Sequence, residues 1–144
     1  MAYTELIEYE KYLNIPFKHL GDTLEGMDCF NLCKHIYKQE LNIELPLSTY
    51  DVCNIVDDDW YQKTTVDLFL TSFKSAGFEK TSEIKPYTIA VFSIGSTNIA
   101  NHCGIFINSR QFIHTMTGKT SFLSRYAGYY QQYTVGLFKC ALKT

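Results

Sequence analysis

The sequence predicts an α+β protein in which helices come first and a mostly antiparallel sheet follows. Apolar residues recur at helical spacing in the first half of the chain, and short β-rich runs separated by turn residues follow in the second half. Helices segregated from strands along a chain are typical of this fold class. The 144 residues contain no repeat and no linker rich in Pro, Gly or Ser, so one domain spanning residues 1–144 is expected.

Four helices are predicted from apolar spacing and helix-ending residues. In the second, Phe30, Cys33 and Tyr37 fall on one stripe, and Asn42 and Pro46 follow its end. In the third, apolar residues recur at i, i+3, i+4 and i+7 before a glycine. The predicted helices cover residues 4–13, about 28–41, 66–77 and 121–129.

Four strands are predicted where the spacing of apolar residues changes from helical to alternating. They cover residues 87–92, 103–107, 111–114 and 132–140. Asn108, Ser109 and Arg110 are turn residues between the second and third strands. These two strands are therefore expected to form a hairpin.

The composition excludes several classes of function. With 46% apolar and 19% charged residues the chain is not disordered, and a net charge of −2 argues against a nucleic-acid surface built on bulk charge. No apolar run approaches the ~20 residues that a membrane span needs. The N-terminus is acidic and lacks the apolar stretch of a signal peptide, so the protein is expected to be made in a host cytoplasm and not exported by that route.

The cysteines direct attention to a reactive thiol. Five of them, at positions 29, 33, 53, 103 and 140, are an odd number, which favours reduced thiols over a disulfide framework. Asp28 is a residue type that caps helix N-termini, which places Cys29 in the first turn of the second helix. The unsatisfied N–H groups and the positive dipole end there favour a thiolate, so Cys29 is the candidate nucleophile.

Two histidines on either side of the Asn108 turn supply a candidate base. If the hairpin centres on Asn108 or Ser109, the even offset between His102 and His114 puts both rings on one face, directly or nearly opposite each other. Neutral imidazole is the usual base for a cysteine nucleophile, and a third group fixes its tautomer. The sequence therefore predicts a Cys29–His102–His114 catalytic site that requires no metal and no cofactor.

Three segments resemble those of the NlpC/P60 cysteine peptidases. Residues 21–29, Gly-Asp-Thr-Leu-Glu-Gly-Met-Asp-Cys, are similar to the family's Gly-rich approach to an Asp-Cys pair at a helix start. Residues 102–107, His-Cys-Gly-Ile-Phe-Ile, are similar to its base-bearing strand, and residues 112–114, Phe-Ile-His, to the strand with its third catalytic residue. Segment order and the spacing of the two histidines match as well, and the resemblance extends from Phe17 to Lys139.

This resemblance implies a papain-like fold and hydrolysis of peptide bonds in bacterial peptidoglycan stem peptides. The bond it implies is the one between D-glutamate and the diamino acid. It also implies substrate-binding positions at Phe17, His19, Asp28 and Phe30. Phe17 stands where the family usually has a tyrosine, and Phe30 stands where it usually has a serine.

Other functions stay open at this point. Phe17 and Phe30 leave room for a catalytically weak or inactive structural or binding module of a phage tail that keeps the fold. Cys–His chemistry also serves acyltransferases and amidases. A zinc site built from Cys29, Cys33, His102 and Cys103 is an alternative use of the same residues, although the sequence has no C-x₂-C pair. The three aspartates at 57–59 lack the glycine and distal glutamate of a calcium loop, which favours a solvated turn.

The expected location follows from the same resemblance. Compact single-domain members of this family that lack a signal peptide resemble the members carried at phage tail tips. The protein is therefore expected in a virion, with tail-tip proteins as partners. A soluble lysis enzyme is the alternative. The candidate docking surface consists of Tyr126, Tyr129, Tyr130 and Tyr133, for which packing at the rim of the core is the simpler interpretation.

Overall fold

The computed structural model describes residues 8–46, 73, 77–95 and 100–140. Its elements, in chain order, are a 3₁₀ helix (Tyr9–Tyr12), β1 (Asp22–Thr23), β2 (Gly26–Met27), α1 (Cys29–Leu41), β3 (Phe78–Lys80), β4 (Ile89–Phe92), β5 (His102–Phe106), β6 (Gln111–His114), β7 (Phe122–Arg125), α2 (Tyr129–Gln132) and β8 (Thr134–Cys140). None of the helices in these ranges is long and apolar enough to cross a membrane.

A six-stranded sheet organises the described part of the chain. Its strand order is β3-β8-β4-β5-β6-β7, and each neighbouring pair is antiparallel. β1 and β2 form a separate antiparallel pair immediately before α1. The α+β class with an antiparallel sheet is confirmed.

Helix α1 packs on one face of this sheet, against β5. Its apolar side chains recur at helical spacing and are buried at Phe30, Leu32, Cys33, Ile36 and Tyr37. The helix ends at Asn42, whose left-handed backbone (φ 54°) lets its N–H donate to carbonyl oxygens of the last turn. Burial of this stripe fixes where the start of α1 lies relative to the sheet.

The two faces of the sheet carry different side chains. On the α1 side, alternate strand residues join the main core, among them Val91, Cys103, Ile105, Ile113 and Phe138. On the opposite side, a smaller cluster forms around Ala90, Phe92, Phe106 and Phe112, with Tyr126 and Tyr130 packed against it. Because side chains alternate along a strand, residues 102 and 114 share this second, aromatic face.

Most of the predicted elements are confirmed to within a few residues, but one is wrong. Residues 121–129 were expected to form a helix, whereas 122–125 form strand β7, paired with β6, and a one-turn helix begins only at Tyr129. Of the first predicted helix, the described part is the 3₁₀ helix. The third predicted helix lies outside the described residues except for Phe73 and Gly77, and so do the three aspartates at 57–59.

Candidate active site

The start of α1 is held by a capping network around Asp28. The buried Asp28 carboxylate accepts a hydrogen bond from the backbone N–H of Asn31 at 2.8 Å. The side-chain amide of Asn31 donates to the carbonyl of Gly21 at 2.9 Å, which ties the preceding loop to the helix. The predicted N-cap is therefore confirmed, and Cys29 is the first residue of the helix.

Three thiols meet between α1 and β5. The Sγ atoms of Cys33 and Cys103 lie 4.0 Å apart, both buried. Cys29 is half-buried, and its pKa is held well below the usual range by a hydrogen bond with Cys103 and then by the hydrogen bond and charge of His102, against the opposing effect of burial. Burial raises the pKa of Cys103. Within this cluster the negative charge therefore belongs on Cys29.

The β5–β6 hairpin brings the two predicted histidines together. Ile105 pairs with Ile113 across it. The turn is closed by the Asn108 side-chain oxygen, which accepts the backbone N–H groups of residues 110 and 111 at 2.8 and 2.9 Å. This register centres the hairpin on residue 109 and makes His102 and His114 diagonal neighbours on one face. The Nε2 atom of His102 lies 2.8 Å from Nδ1 of His114, so the predicted contact is present.

The geometry assigns a separate role to each nitrogen of His102. Its Nε2 is occupied by His114, which leaves Nδ1 as the nitrogen for the Cys29 thiol, with which His102 also interacts. Burial, together with the smaller effects of the charges of His102 and Lys119, lowers the pKa of His114 to about 2. His114 is therefore a neutral ring at physiological pH, and its bare nitrogen can accept a hydrogen bond from an N–H group of His102.

Aromatic rings enclose both imidazoles. Phe92 stacks on His102 with ring centroids 5.6 Å apart. His114 contacts the rings of Phe112 at 4.5 Å, Phe122 at 4.2 Å and Tyr130 at 5.2 Å. These rings restrict the orientation of the histidines, and they exclude the water that would otherwise stabilise a charged His114.

Sequence reasoning missed one polar residue of this group. Ser124 on β7 places its Oγ atom 2.7 Å from Nε2 of His114. The segment that carries it was expected to be helical, and a helix there would not have aligned this side chain with His114. The run Phe122-Leu123-Ser124-Arg125 does not alternate apolar and polar residues, so no periodicity marks it as a strand before its pairing with β6 is known.

Two of the predicted substrate-binding positions lie near the nucleophile segment. Phe17 is half-buried and forms a bridge with Met27, two residues before Cys29. Its backbone N–H donates to the carbonyl of Lys119 at 3.0 Å. His19 is also half-buried, and its Nε2 atom has no hydrogen-bond partner in the described structure. Substrate binding by these two residues stays a prediction.

The other two positions require correction. Phe30 is completely buried and packs edge-on against Phe73 with ring centroids 5.6 Å apart, so its side chain belongs to the core. Asp28 is 2% exposed, and its carboxylate is bound to the start of α1. Neither side chain presents a surface to a substrate, and Asp28 instead fixes the helix start on which Cys29 lies.

The zinc arrangement is not formed. Within the described ranges, no three His, Cys, Asp or Glu side chains are grouped in a way that could hold a metal ion. Of the residues that had suggested zinc, the cysteines belong to the thiol cluster on the α1 side of the sheet. His102 instead contacts His114 on the aromatic side.

A thiol at a helix start beside an imidazole pair on an antiparallel sheet places this chain in the papain-like α+β class. The model of the NlpC/P60 family matches residues 14–139, and the chain belongs to that family. It is also 24% identical over 117 residues to proteins named murein DD-endopeptidase MepS/murein LD-carboxypeptidase from Escherichia coli K12 and O157:H7. That match covers 81% of this chain and 50% of the relatives, so the chain spans about half their length.

Solved structures agree on the fold. The NlpC/p60 domain of the peptidoglycan hydrolase SagA is similar with a TM-score of 0.59 and 17% identity, over 93% of this chain and 94% of that one. An NLP/P60 family protein similar to a lipoprotein, from Staphylococcus aureus Mu50, gives a TM-score of 0.63 and 16% identity, over 100% of this chain and 44% of that one. At these identities the likeness shows the shared fold.

Proposed function

We propose that this protein is a cysteine peptidase that hydrolyses peptide bonds in the stem peptides of bacterial peptidoglycan. The observation that carries the proposal is the arrangement of Cys29, His102 and His114. A thiol with a lowered pKa lies at a helix start beside one imidazole, and a second imidazole hydrogen-bonds the first at 2.8 Å. Relatives named as murein endopeptidases and a structural neighbour named as a peptidoglycan hydrolase support the substrate class.

The arrangement suits a two-step acyl transfer. The Cys29 thiolate attacks the carbonyl carbon, and the C–N bond breaks as Nδ1–H of His102 passes its proton to the leaving amine. Water then attacks the thioester while Nδ1 of His102 takes its proton, and the C–S bond breaks to return the thiolate. The positive end of α1 favours the negative charge that develops beside it.

The bond proposed is the one between D-glutamate and the diamino acid, which is the bond that the sequence resemblance implies. The relatives' names indicate two other types, a DD bond and an LD bond at a peptide C-terminus. The three types differ in the masses of their products. A defined set of muropeptides therefore distinguishes them in one assay.

The test is incubation of the purified protein with a monomeric tetrapeptide muropeptide and a DD-cross-linked dimer, with products read by mass spectrometry. Release of the fragment that begins at the diamino acid is expected from both substrates. Cys29→Ala should give no product, whereas Cys140→Ala, which removes a half-buried thiol at the end of β8, should match the unsubstituted protein. Loss of only the terminal D-residue, or conversion of dimer to monomer alone, would contradict the bond assignment.

One observation favours a second candidate, a binding module without activity. Phe17 cannot donate the hydroxyl hydrogen bond that the family's usual tyrosine supplies. If the protein is such a module, it should sediment with purified sacculi and release no fragment from either muropeptide. Replacement of Phe17 by Tyr should then leave both results unchanged.

We also propose that the protein acts from a larger particle, the tip of a phage tail. Support comes from Tyr129, which is 48% exposed, since exposed aromatic side chains suit docking; two other tyrosines of the candidate docking surface, Tyr126 and Tyr130, pack against the aromatic cluster. Attachment to a particle would concentrate the enzyme at the wall without high intrinsic affinity. Mass spectrometry of purified virions should detect this chain, and its presence only as free enzyme in lysates would contradict the proposal.

A further inference from the structure

A polar row crosses three adjacent strands on the aromatic face of the sheet. It consists of His102 on β5, His114 on β6 and Ser124 on β7, joined by contacts of 2.8 and 2.7 Å. In the β6–β7 register, Ser124 pairs with Phe112, two residues before His114. Ser124 is thus a diagonal neighbour of His114 on the same face, as His102 is from the other side.

The protonation states along this row are linked. A neutral imidazole carries one N–H and one bare nitrogen. When His102 is protonated, its Nε2–H has to donate to Nδ1 of His114, so Nδ1 must be bare. The single proton of His114 then lies on Nε2, where the Oγ atom of Ser124 is positioned to accept it.

Among the residues that the structure describes, Ser124 is the hydrogen-bond partner of Nε2 of His114. His114 is completely buried, and the rings of Phe112, Phe122 and Tyr130 enclose it. Without the Ser124 hydroxyl, the proton would be left unsatisfied or would move to Nδ1, where it would face the donor of His102 and weaken His102 as a base.

We propose that Ser124 is a positioning residue that holds His114 in its Nε2–H tautomer and thereby keeps His114 an acceptor for protonated His102. The inference rests on the proposed roles of Cys29 and His102. It extends the predicted triad by a fourth group, which touches neither the substrate nor the thiol. Its effect is expected on the ionisation of Cys29 and on kcat, with little effect on KM.

The first test compares Ser124→Ala with Ser124→Thr, which keeps a hydroxyl, and with Ser109→Ala, which alters an exposed serine in the β5–β6 turn. The alkylation rate of Cys29 by iodoacetamide is measured against pH, because it reports thiolate formation without any substrate. Ser124→Ala is expected to raise the midpoint of this profile by about one pH unit and to lower kcat on muropeptides about tenfold. Ser124→Thr should recover most of both effects, and Ser109→Ala should show neither.

The second test needs no substitution at Ser124. Nitrogen NMR of the ¹⁵N-histidine-labelled protein distinguishes the two neutral tautomers, and His114→Asn identifies the signal among the four histidines. The Nε2–H form of His114 is expected in the unsubstituted protein, and its population should fall in Ser124→Ala. An Nδ1–H form in the unsubstituted protein, or an alkylation midpoint that Ser124→Ala leaves unchanged, would overturn the proposal. Absence of muropeptide cleavage by the unsubstituted protein would instead overturn the proposed function, while these two measurements still test Ser124.

Discussion

Gly104 lies against His114 with no side chain between them. A Cβ atom added to Gly104 would lie 3.2 Å from Cβ of His114 and only 2.6 Å from Cδ2 of Phe112. Real Cβ atoms do not approach other heavy atoms as closely as the second distance. The diagonal contact between His102 and His114 therefore depends on a glycine at the centre of β5.

Gly104→Ala is predicted to displace His114 and lower activity. The added methyl group must push the Phe112 and His114 side chains away from β5, and overpacking of this kind costs about 1–3 kcal/mol. We expect at least about a tenfold loss of kcat and a higher midpoint in the alkylation profile of Cys29. The control is Gly118→Ala, which has positive φ (+80°) and open space around its Cβ position. It should lose some stability and leave the alkylation profile unchanged.

Cys29 is predicted to be the thiol that iodoacetamide labels fastest near neutral pH. It combines a helix start, an imidazole partner and partial exposure, whereas Cys33 and Cys103 are buried. Cys29→Ala should remove the fast labelling phase and lower activity about a thousandfold or more. Peptide mapping after a brief pulse of reagent measures the site. Comparable labelling of Cys140, or full activity in Cys29→Ala, would refute the assignment.

The two histidines are predicted to respond differently to substitution. His102→Ala removes the proton acceptor of the thiol and should lower kcat by about 10²–10⁴-fold. His114→Asn should be less damaging than His114→Ala, because an amide can still hydrogen-bond Nε2 of His102. Steady-state kinetics on one muropeptide gives the ranking. A His102→Ala variant as active as His114→Asn would show that His102 is not the base.

Stability is predicted to fall with acid because His114 is buried as a neutral ring. Its pKa is about 2 in the folded protein, against about 6.5 for an unfolded imidazole. Between these values the unfolded chain binds one more proton, so the free energy of unfolding decreases as the pH falls from about 6.5, by up to about 1.4 kcal/mol per pH unit. Above about pH 6.5 the ring is neutral in both the folded and the unfolded state, so it no longer makes the free energy of unfolding depend on pH. Urea unfolding at pH 7, 6 and 5 measures the slope, which should be shallower in His114→Asn.

Asp28→Ala is predicted to destabilise the protein by about 1 kcal/mol through loss of the N-cap. The same change should slow alkylation of Cys29, because the first turn of α1 loses the carboxylate that holds it. Asp28→Asn should retain most of the stability. The control is Asp22→Ala, which removes an exposed carboxylate on β1. It should change neither the free energy of unfolding nor the alkylation rate of Cys29.

The parts of the site that the sequence predicted correctly depend on local signals. Asp28 and Cys29 are recognisable because capping depends on a few consecutive residues, and the His102–His114 contact follows from the turn at Asn108. The helical spacing of apolar residues also predicts that Phe30 is buried, because it groups Phe30 with residues that face the core. The family-based assignment of Phe30 to the substrate is wrong, because its side chain is buried in the core that this periodicity defines.

The parts that could not be predicted depend on pairing between distant segments. Strand β7 is four residues long, and a run of that length fits a helix or a strand equally well by composition. What makes it a strand is the backbone pairing with β6 and the packing of Phe122 against His114. The role of Ser124 becomes visible only once that register is known.

The three residues of the polar row lie close together in the sequence, whereas the nucleophile Cys29 lies far from them. His102 and His114 are 12 residues apart, and His114 and Ser124 are 10 apart, within consecutive hairpins that close with little loop entropy. Cys29 reaches them only through the long-range docking of α1 on β5. The imidazoles can therefore assemble early in folding, while the thiol acquires its lowered pKa only when the helix docks. The contacts of Cys29 with Cys103 and His102 that lower its pKa therefore require α1 to be docked on β5.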